Sequence, residues 1–208
     1  SQILLYQPDT PENIKNFIEK INISGNNLLD LVNTILDFAK LEAGKMQFHP
    51  KNSNLGDIIN EAIILTTPQA KAKNLHIQSA NVDSLILYID AKLIKQVIIN
   101  LLTNAIKFTK EGGNITLALQ FLTQKNHYLI SVKDSGIGIS KENQLKLFQP
   151  FSQIDGSYQK STGGTGLGLS ISKTIIEDLH QGKIYLQSEE GIGSTFFVEL
   201  PVLNVETV

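Results

Sequence analysis

Asn100, Asn104 and Lys107 stand at i, i+4 and i+7 in Asn100-Leu-Leu-Thr-Asn104-Ala-Ile-Lys107-Phe108-Thr109, so they share one face of a helix whose opposite face is apolar. Two amides and an ammonium aligned in this way could hold a metal ion, a ribose and phosphates. Taken alone, the same stretch could be a solvated polar face. A second constellation, Asp134-Ser-Gly136-Ile137-Gly138-Ile139, follows the apolar residues Leu129, Ile130 and Val132. A carboxylate at a strand end, followed by two glycines, can accept hydrogen bonds from the amino group of a base while the backbone passes close beneath the ring. The alternative is a plain Asp-Ser-Gly turn. The third is Gly163-Gly164-Thr165-Gly166-Leu167-Gly168-Leu169-Ser170, running straight into a helical pattern. Backbone amides at such a helix start form an anion site. The Gly164-x-Gly166-x-Gly168 spacing matches neither the dinucleotide fingerprint nor the P-loop. Ten of the 15 glycines lie after residue 135, so that half of the chain is rich in positions of positive φ or close backbone approach.

The elements that must position these groups are legible as alternating patterns. Thr10-Pro11-Glu12 reads as an N-cap, a proline at the first helical position and an acid in the first turn. Apolar residues then recur at heptad spacing: Ile14, Ile21, Leu28 and Ile35 on one seam, and Phe17, Leu31 and Phe38 on the other, interrupted by Ser24. The pattern stops at Ala43-Gly44, with Gly44 suited to a C-terminal cap. A strict seven-residue repeat points to bundle packing, against the plainer reading of an amphipathic core helix. Ile3 to Tyr6 reads as the tail of a preceding helix. Beyond it come a short strand over Met46 to Pro50, a helix over Leu55 to about Ala72, and strands over Leu75 to Ala80 and Leu85 to Ile89. A strong helix covers Asp90 to Thr109. Strands cover Ile115 to Leu122 and Tyr128 to Val132, short and longer helices Leu145 to Phe148 and Leu167 to Leu179, and closing strands Ile184 to Gln187 and Thr195 to Leu200. Mixed helices and hairpins give an α+β class.

Composition sets the outer bounds. The 208 residues are 41% hydrophobic and 18% charged, with 18 Lys plus Arg against 20 Asp plus Glu, a net charge of −2. That excludes a disordered chain and offers no electrostatic footprint for nucleic acid or a membrane surface. The absence of cysteine excludes disulfides, cysteine-ligated metals and a thiol nucleophile. The longest apolar run, Leu85 to Ile89, is far short of the ~20 residues that span a bilayer. The expectation is a soluble, cytoplasmic piece without membrane contact.

In this order and at these gaps, the three constellations resemble the ATP-binding domain of sensor histidine kinases and of the wider family that includes gyrase. The resemblance runs from about Pro50 to Pro201 and extends to Asp90-x-x-Leu93-x-x-Gln96-Val97, Phe148-Gln-Pro-Phe151 and Ser188-Glu-Glu-Gly191-x-Gly193-Ser194-Thr195-Phe196. The segment before Lys45 is similar to the second helix of the kinase dimerisation and phosphoacceptor hairpin. The resemblance implies a two-layer α/β sandwich of the Bergerat type, a mixed sheet with helices on one face, over residues 46–208, preceded by a partial helical hairpin over residues 1–45. It implies ATP and Mg²⁺, with Asn104 on the metal, Asn100 at the phosphate or ribose region and Lys107 on the phosphates. Asp134 would bind the adenine amino group, with Gly136, Ile137, Gly138 and Ile139 shaping the pocket. Phe151 to Gly164 would form a lid carrying Lys160 as a phosphate contact. Gly164, Thr165, Gly166, Leu167, Gly168 and Leu169 would line the phosphates, and Thr195 would support the adenine end through water. Implied partners are a second copy of the hairpin and a response-regulator receiver domain.

Two departures matter. The phosphoacceptor of that family is a histidine followed by an acid. His49, His76, His127 and His180 are followed by Pro50, Ile77, Tyr128 and Gln181, and are read as structural or solvated. The acceptor is therefore expected outside these residues. In ATPase relatives a glutamate stands where this chain has Asn100, and an amide cannot take a proton from water. Phosphoryl transfer is favoured over hydrolysis, with a non-catalytic nucleotide-binding module and a gyrase-type ATPase as the competing readings.

Overall fold

The computed structural model describes residues 11–82, 84–152 and 165–202. The chain divides into two compact units, Ser1–Met46 and Gln47–Val208.

The first unit contains one long helix, α1 (Glu12–Glu42). Pro11 takes the N-cap position rather than the first helical one, its carbonyl accepting from the N–H groups of Ile14 and Lys15. Thr10 lies outside the described residues. At the other end Gly44 adopts φ +63°, and the N–H groups of Gly44 and Lys45 reach back to Leu41 and Lys40. This closes the helix in the paired-carbonyl motif that only a residue tolerant of the left-handed region allows. Of the heptad residues, Ile14, Phe17, Ile21, Leu28, Leu31 and Ile35 are exposed and Phe38 is half-buried.

In the second unit the strands are β1 (Lys51–Asn54), β2 (His76–Ala80), β3 (Ile86–Ile89), β4 (Asn114–Leu122), β5 (His127–Asp134), β6 (Lys183–Glu189) and β7 (Gly193–Pro201). The helices are α2 (Leu55–Ala72), α3 (Ala91–Phe108), the single turn α4 (Lys141–Gln144) and α5 (Gly168–Thr174), which continues as a π-helical turn over Ile175–Leu179. A five-stranded sheet has the order β2-β4-β5-β7-β6, with β2 parallel to β4 and the other pairs antiparallel. β1 and β3 form a separate two-stranded ribbon. Along the sheet, Ile115, Leu117, Ile130, Val132, Phe196, Val198 and Ile184 are buried, and the residues between them are not uniformly so. One face is thus apolar and carries the helices. α3 contributes eight buried apolar residues from Leu93 to Ile106. At roughly 1.5–3 kcal/mol for each fully buried side chain, that face outweighs any end cap worth about 1 kcal/mol. Burial holds α3 on the sheet, and the caps decide where it ends.

Some expected boundaries move. The strand expected over Met46 to Pro50 lies instead at Lys51–Asn54. The His49 N–H is taken by the Asp90 carboxylate at 2.9 Å and Pro50 has no N–H, so neither can donate to a ladder. The short helix expected over Leu145 to Phe148 lies instead at Lys141–Gln144, where the Ser140 hydroxyl caps it by accepting from the Asn143 N–H, and Leu145 to Phe148 form turns. The helix after Gly168 widens into the π turn, where the His180 N–H bonds to the Ile175 carbonyl. Among the described residues no helix is long and apolar enough to cross a membrane.

The π turn carries His180 into the interior, where it is 3% exposed and meets the Phe48 ring edge-on at 4.9 Å. Its Nε2 accepts the Asp90 N–H at 3.1 Å, so its Nδ1 carries the hydrogen and donates to the Ile175 carbonyl at 2.7 Å. Burial pushes its pKa below the ordinary 6.5, against the opposing pull of the Ile175 bond and the Asp90 charge. A depressed histidine contributes stability that is present above pH 6.5 and lost as pH falls. The stability advantage of the wild type over His180→Gln should be largest at pH 7–8 and shrink towards pH 5, as read by urea unfolding across that range.

Candidate functional site

α3 begins at Asp90, whose Oδ1 accepts from the N–H groups of Lys92 and Leu93 while Oδ2 takes the His49 N–H. At its far end Lys73 places Nζ against the carbonyls of Ile106, Lys107 and Thr109 at 2.8, 2.9 and 2.8 Å. Between these ends Asn100, Asn104 and Lys107 lie half-buried on the face turned away from the core. Asn100 donates from Nδ2 to the Ser172 hydroxyl at 2.9 Å, and that hydroxyl donates to the Gly168 carbonyl at 2.9 Å. Because the Ser172 hydrogen is committed to Gly168, its oxygen must accept, and this fixes the Asn100 amide with Oδ1 towards Asn104. The Asn104 Nδ2 makes a long 3.5 Å contact to that oxygen. Asn104 Oδ1 accepts no hydrogen bond among the described residues. The Lys107 ammonium lies 4.9 Å from the Phe108 ring centroid, and burial lowers its pKa.

The glycine-rich turn closes directly over this face. A Cβ on Gly168 would collide with Asn100 Oδ1. Gly166, at φ +70°, passes so close to Phe151 that a Cβ would lie 2.8 Å from its carbonyl carbon. Thr165 accepts the Leu167 N–H through its hydroxyl at 3.1 Å. Leu167 is buried, Leu169 half-buried, and the first turn of α5 has no side-chain cap. Phe151 itself is exposed and sits at φ +60°, an outlying backbone for so bulky a residue. Lys160 and Gly164 lie outside the described residues.

The second cluster is built at the end of β5. Asp134 is 5% exposed, and its Oδ1 accepts from the N–H of Gly136 at 2.8 Å and of Ser194 at 3.3 Å. Its Oδ2 accepts no bond among the described residues. Burial raises its pKa, with the two backbone bonds pulling the other way. The Ile137 N–H bonds to the Phe108 carbonyl at 3.3 Å, and a Cβ on Gly136 would stand 2.7 Å from that same oxygen. Gly138 needs its φ of +67°, and a side chain there would strike the Glu189 carbonyl. The Ile139 N–H goes to the Ser188 hydroxyl. Thr195, expected to support the adenine end, lies on β7 next to Ser194. It pairs with Lys133, whereas Ser194 is the residue in register with Asp134. Alternation along β7 therefore turns the two side chains to opposite faces.

The three constellations thus meet around one helix: the glycine turn on Asn100 and the Asp134 loop on Phe108. Lys73, Ser172 and Ser194 were not identifiable as members from sequence. Ser172 alone left a trace, four residues after Gly168, the spacing for a hydroxyl bonding back to a helix carbonyl. Chemically, amide oxygens are hard donors suited to Mg²⁺. Among the described residues no group of three His, Cys, Asp or Glu could hold a metal, so a cation here would share its coordination with bound phosphate oxygens. A nearly buried carboxylate with one unengaged oxygen is suited to accept from an exocyclic amino group.

Residues 89–204 match the family described as histidine kinase-, DNA gyrase B-, and HSP90-like ATPase. The chain is 42% identical over 188 residues to the sensor protein GacS of Pseudomonas syringae pv. syringae, an alignment spanning 88% of this chain and 21% of GacS. Among solved structures, the nucleotide-free catalytic domain of histidine kinase ThkA is 36% identical with a TM-score of 0.62, over 76% of this chain and 97% of that one. ThkA in complex with response regulator protein TrrA is 29% identical with a TM-score of 0.70, over 97% and 55%. Full-length ShkA in complex with AMPPNP is 26% identical with a TM-score of 0.77, over 97% and 42%. The chain spans about a quarter or less of the length of the first curated relatives it matches, 24% and 21%.

Asp134 carries a testable cost. A carboxyl whose pKa is raised by folding destabilises the folded state at pH above its ordinary 3.8 and not below it. Asp134→Asn, which keeps an acceptor for the Gly136 and Ser194 N–H groups, should unfold at higher urea than the wild type at pH 7, with the difference vanishing as pH falls towards 3.8.

Proposed function

The chain belongs to the family of histidine kinase-, DNA gyrase B- and HSP90-like ATPases, and on that premise we propose that it is the ATP-binding catalytic core of a sensor histidine kinase. It would transfer the γ-phosphoryl group of ATP to a histidine outside these residues, from which a response-regulator aspartate would take it. The observation that carries this reading is the convergence on α3: a glycine turn packed on Asn100 at the phosphate end and the Asp134 loop bonded to Phe108 at the base end.

Asn104, with its oxygen unengaged among the described residues, would hold Mg²⁺ together with the phosphates. When bound, the metal neutralises phosphate charge during transfer. Lys107, partly desolvated, donates to the phosphates, where a low local dielectric strengthens the attraction. Gly166 and Gly168 admit the phosphates close to backbone amides, Thr165, Leu167 and Leu169 shape that turn, and Gly164 is proposed from its place in the sequence to join them. Lys160 is proposed from its place in the sequence as a further phosphate contact, and Phe151 packs against Gly166. Asp134 accepts the adenine amino hydrogen on Oδ2. Ser194, rather than Thr195, supports it from β7, with Gly136, Ile137, Gly138 and Ile139 lining the base. Catalysis by these groups is positioning and charge stabilisation. Asn100 cannot act as a general base, so water is not activated and the phosphoryl group waits for its acceptor. The exposed heptad face of α1 supports pairing with a second copy through the helical hairpin of residues 1–45. The complex of ThkA with TrrA supports the receiver partner.

With ATP labelled at the γ-phosphate and Mg²⁺, this chain should take up no label, and a form extended upstream through the preceding helix should acquire acid-labile label. Free phosphate from both would instead point to an ATPase, and nucleotide binding without transfer to a non-catalytic module. Asn104→Ala should weaken Mg²⁺–ATP at least about tenfold while changing metal-free ATP less. Calorimetry showing equal losses would remove the metal role.

A further inference from the structure

The end of α3 leaves its last carbonyls to be satisfied from outside the helix. The Ala105 carbonyl accepts the Thr109 N–H that closes the helix. Those of Ile106, Lys107 and Thr109 all accept from Lys73 Nζ. An ammonium has three N–H groups, and all three are used here. The Phe108 carbonyl stands outside this set and takes the Ile137 N–H at 3.3 Å. The Lys73 carbonyl in turn accepts from Gly112 in the turn after α3, at 3.4 Å. One lysine, next after the last residue of α2, therefore fixes the peptide groups on both sides of the Phe108 carbonyl, where the Asp134 loop is bonded to α3.

We propose that Lys73 is a positioning residue for the base end of the nucleotide site, acting through the C-terminal carbonyls of α3 on the loop Asp134 to Gly138; this rests on Asp134 being the base-reading group. Without the ammonium, three part-buried carbonyls lose their donor. The last turn of α3 then loosens, and the Phe108 carbonyl no longer holds Ile137, which follows the Gly136 bonded to Asp134. The Asn100 end of the helix, six residues before Ile106 and held by Ser172, keeps its geometry. Loss of Lys73 therefore acts first on base selectivity, and on the phosphates only through Lys107 in the same turn. Arginine cannot substitute fully. Its charge is spread over a planar fork, whereas these three carbonyls converge on a single nitrogen.

The test is calorimetric binding of AMPPNP and of its guanine counterpart, with Mg²⁺, to this chain. Lys73→Met keeps the stem and removes the donors. It should bind AMPPNP about tenfold more weakly and discriminate less against the guanine analogue, and Lys73→Arg should restore part of that discrimination. Asn54→Ala, which removes the N-cap at the other end of α2, serves as a destabilised control away from the site and should leave discrimination unchanged. If Lys73→Met loses both analogues in equal proportion, as Asn54→Ala does, or binds them as the wild type does, the positioning role is wrong. Should Lys73→Met fail to fold, Lys73→Arg decides: wild-type discrimination in that variant overturns the role. Asp134→Ala separates the two levels. If it keeps the adenine preference, the base-reading assignment itself fails. If it loses the preference while Lys73→Met keeps it, only the role of Lys73 falls.

Discussion

The helix over Ala91–Phe108 is held by opposite charges at its two ends, a carboxylate from Asp90 on the first N–H groups and an ammonium from Lys73 on the last carbonyls. Each sits where the helix dipole favours it. Everything else in the second unit is arranged around this rod. Its apolar face closes the core over the sheet, and its polar face faces the glycine turn. The carbonyl of its last residue, Phe108, accepts from the Asp134 loop. Buried side chains keep the helix on the sheet, but a site that spans from Asn100 to Phe108 also needs defined ends. A frayed turn would leave the core nearly intact and still separate the two halves of the site.

Around that rod, close approach replaces side chains. Gly136 against the Phe108 carbonyl, Gly168 against Asn100 and Gly138 against the Glu189 carbonyl each occupy places a methyl group could not. The chain thereby brings backbone donors and acceptors to within bonding distance of one cleft. The same crowding desolvates Asp134 and Lys107, which costs the empty fold stability and strengthens whatever charge or dipole later meets them. Ser172 shows how little is left to chance: a hydroxyl committed to Gly168 leaves the Asn100 amide one orientation.

Much of this was legible in the residues because it depends on local period and local turn chemistry. The α3 helix, its cap at Asp90 and the shared face of Asn100, Asn104 and Lys107 follow from 3.6-residue periodicity and an aspartate ahead of it. The stop of α1 at Gly44 follows from a glycine after a heptad run. What was hidden depends on partners far away in sequence. Lys51-Asn-Ser-Asn54 has no apolar alternation, and only its ladder with Ile86–Ile89 makes it a strand. Lys73 gives no local sign that three carbonyls more than thirty residues away will claim it. The π turn serves a tertiary bond, between His180 and the Asp90 N–H, that no window around Ile175 contains. Ser194 and Thr195 differ only by which sheet face each meets, and a one-residue shift exchanges them.

A crystal structure of this chain with AMPPNP and Mn²⁺ would test most directly whether one helix joins a base-reading end to a phosphate end. The nucleotide should lie with its adenine amino group on Asp134 Oδ2 and its phosphates under the turn at Gly166 and Gly168, with the anomalous signal of the metal beside Asn104. A nucleotide bound elsewhere, or one whose metal sits away from Asn104 while its base avoids Asp134, would contradict it.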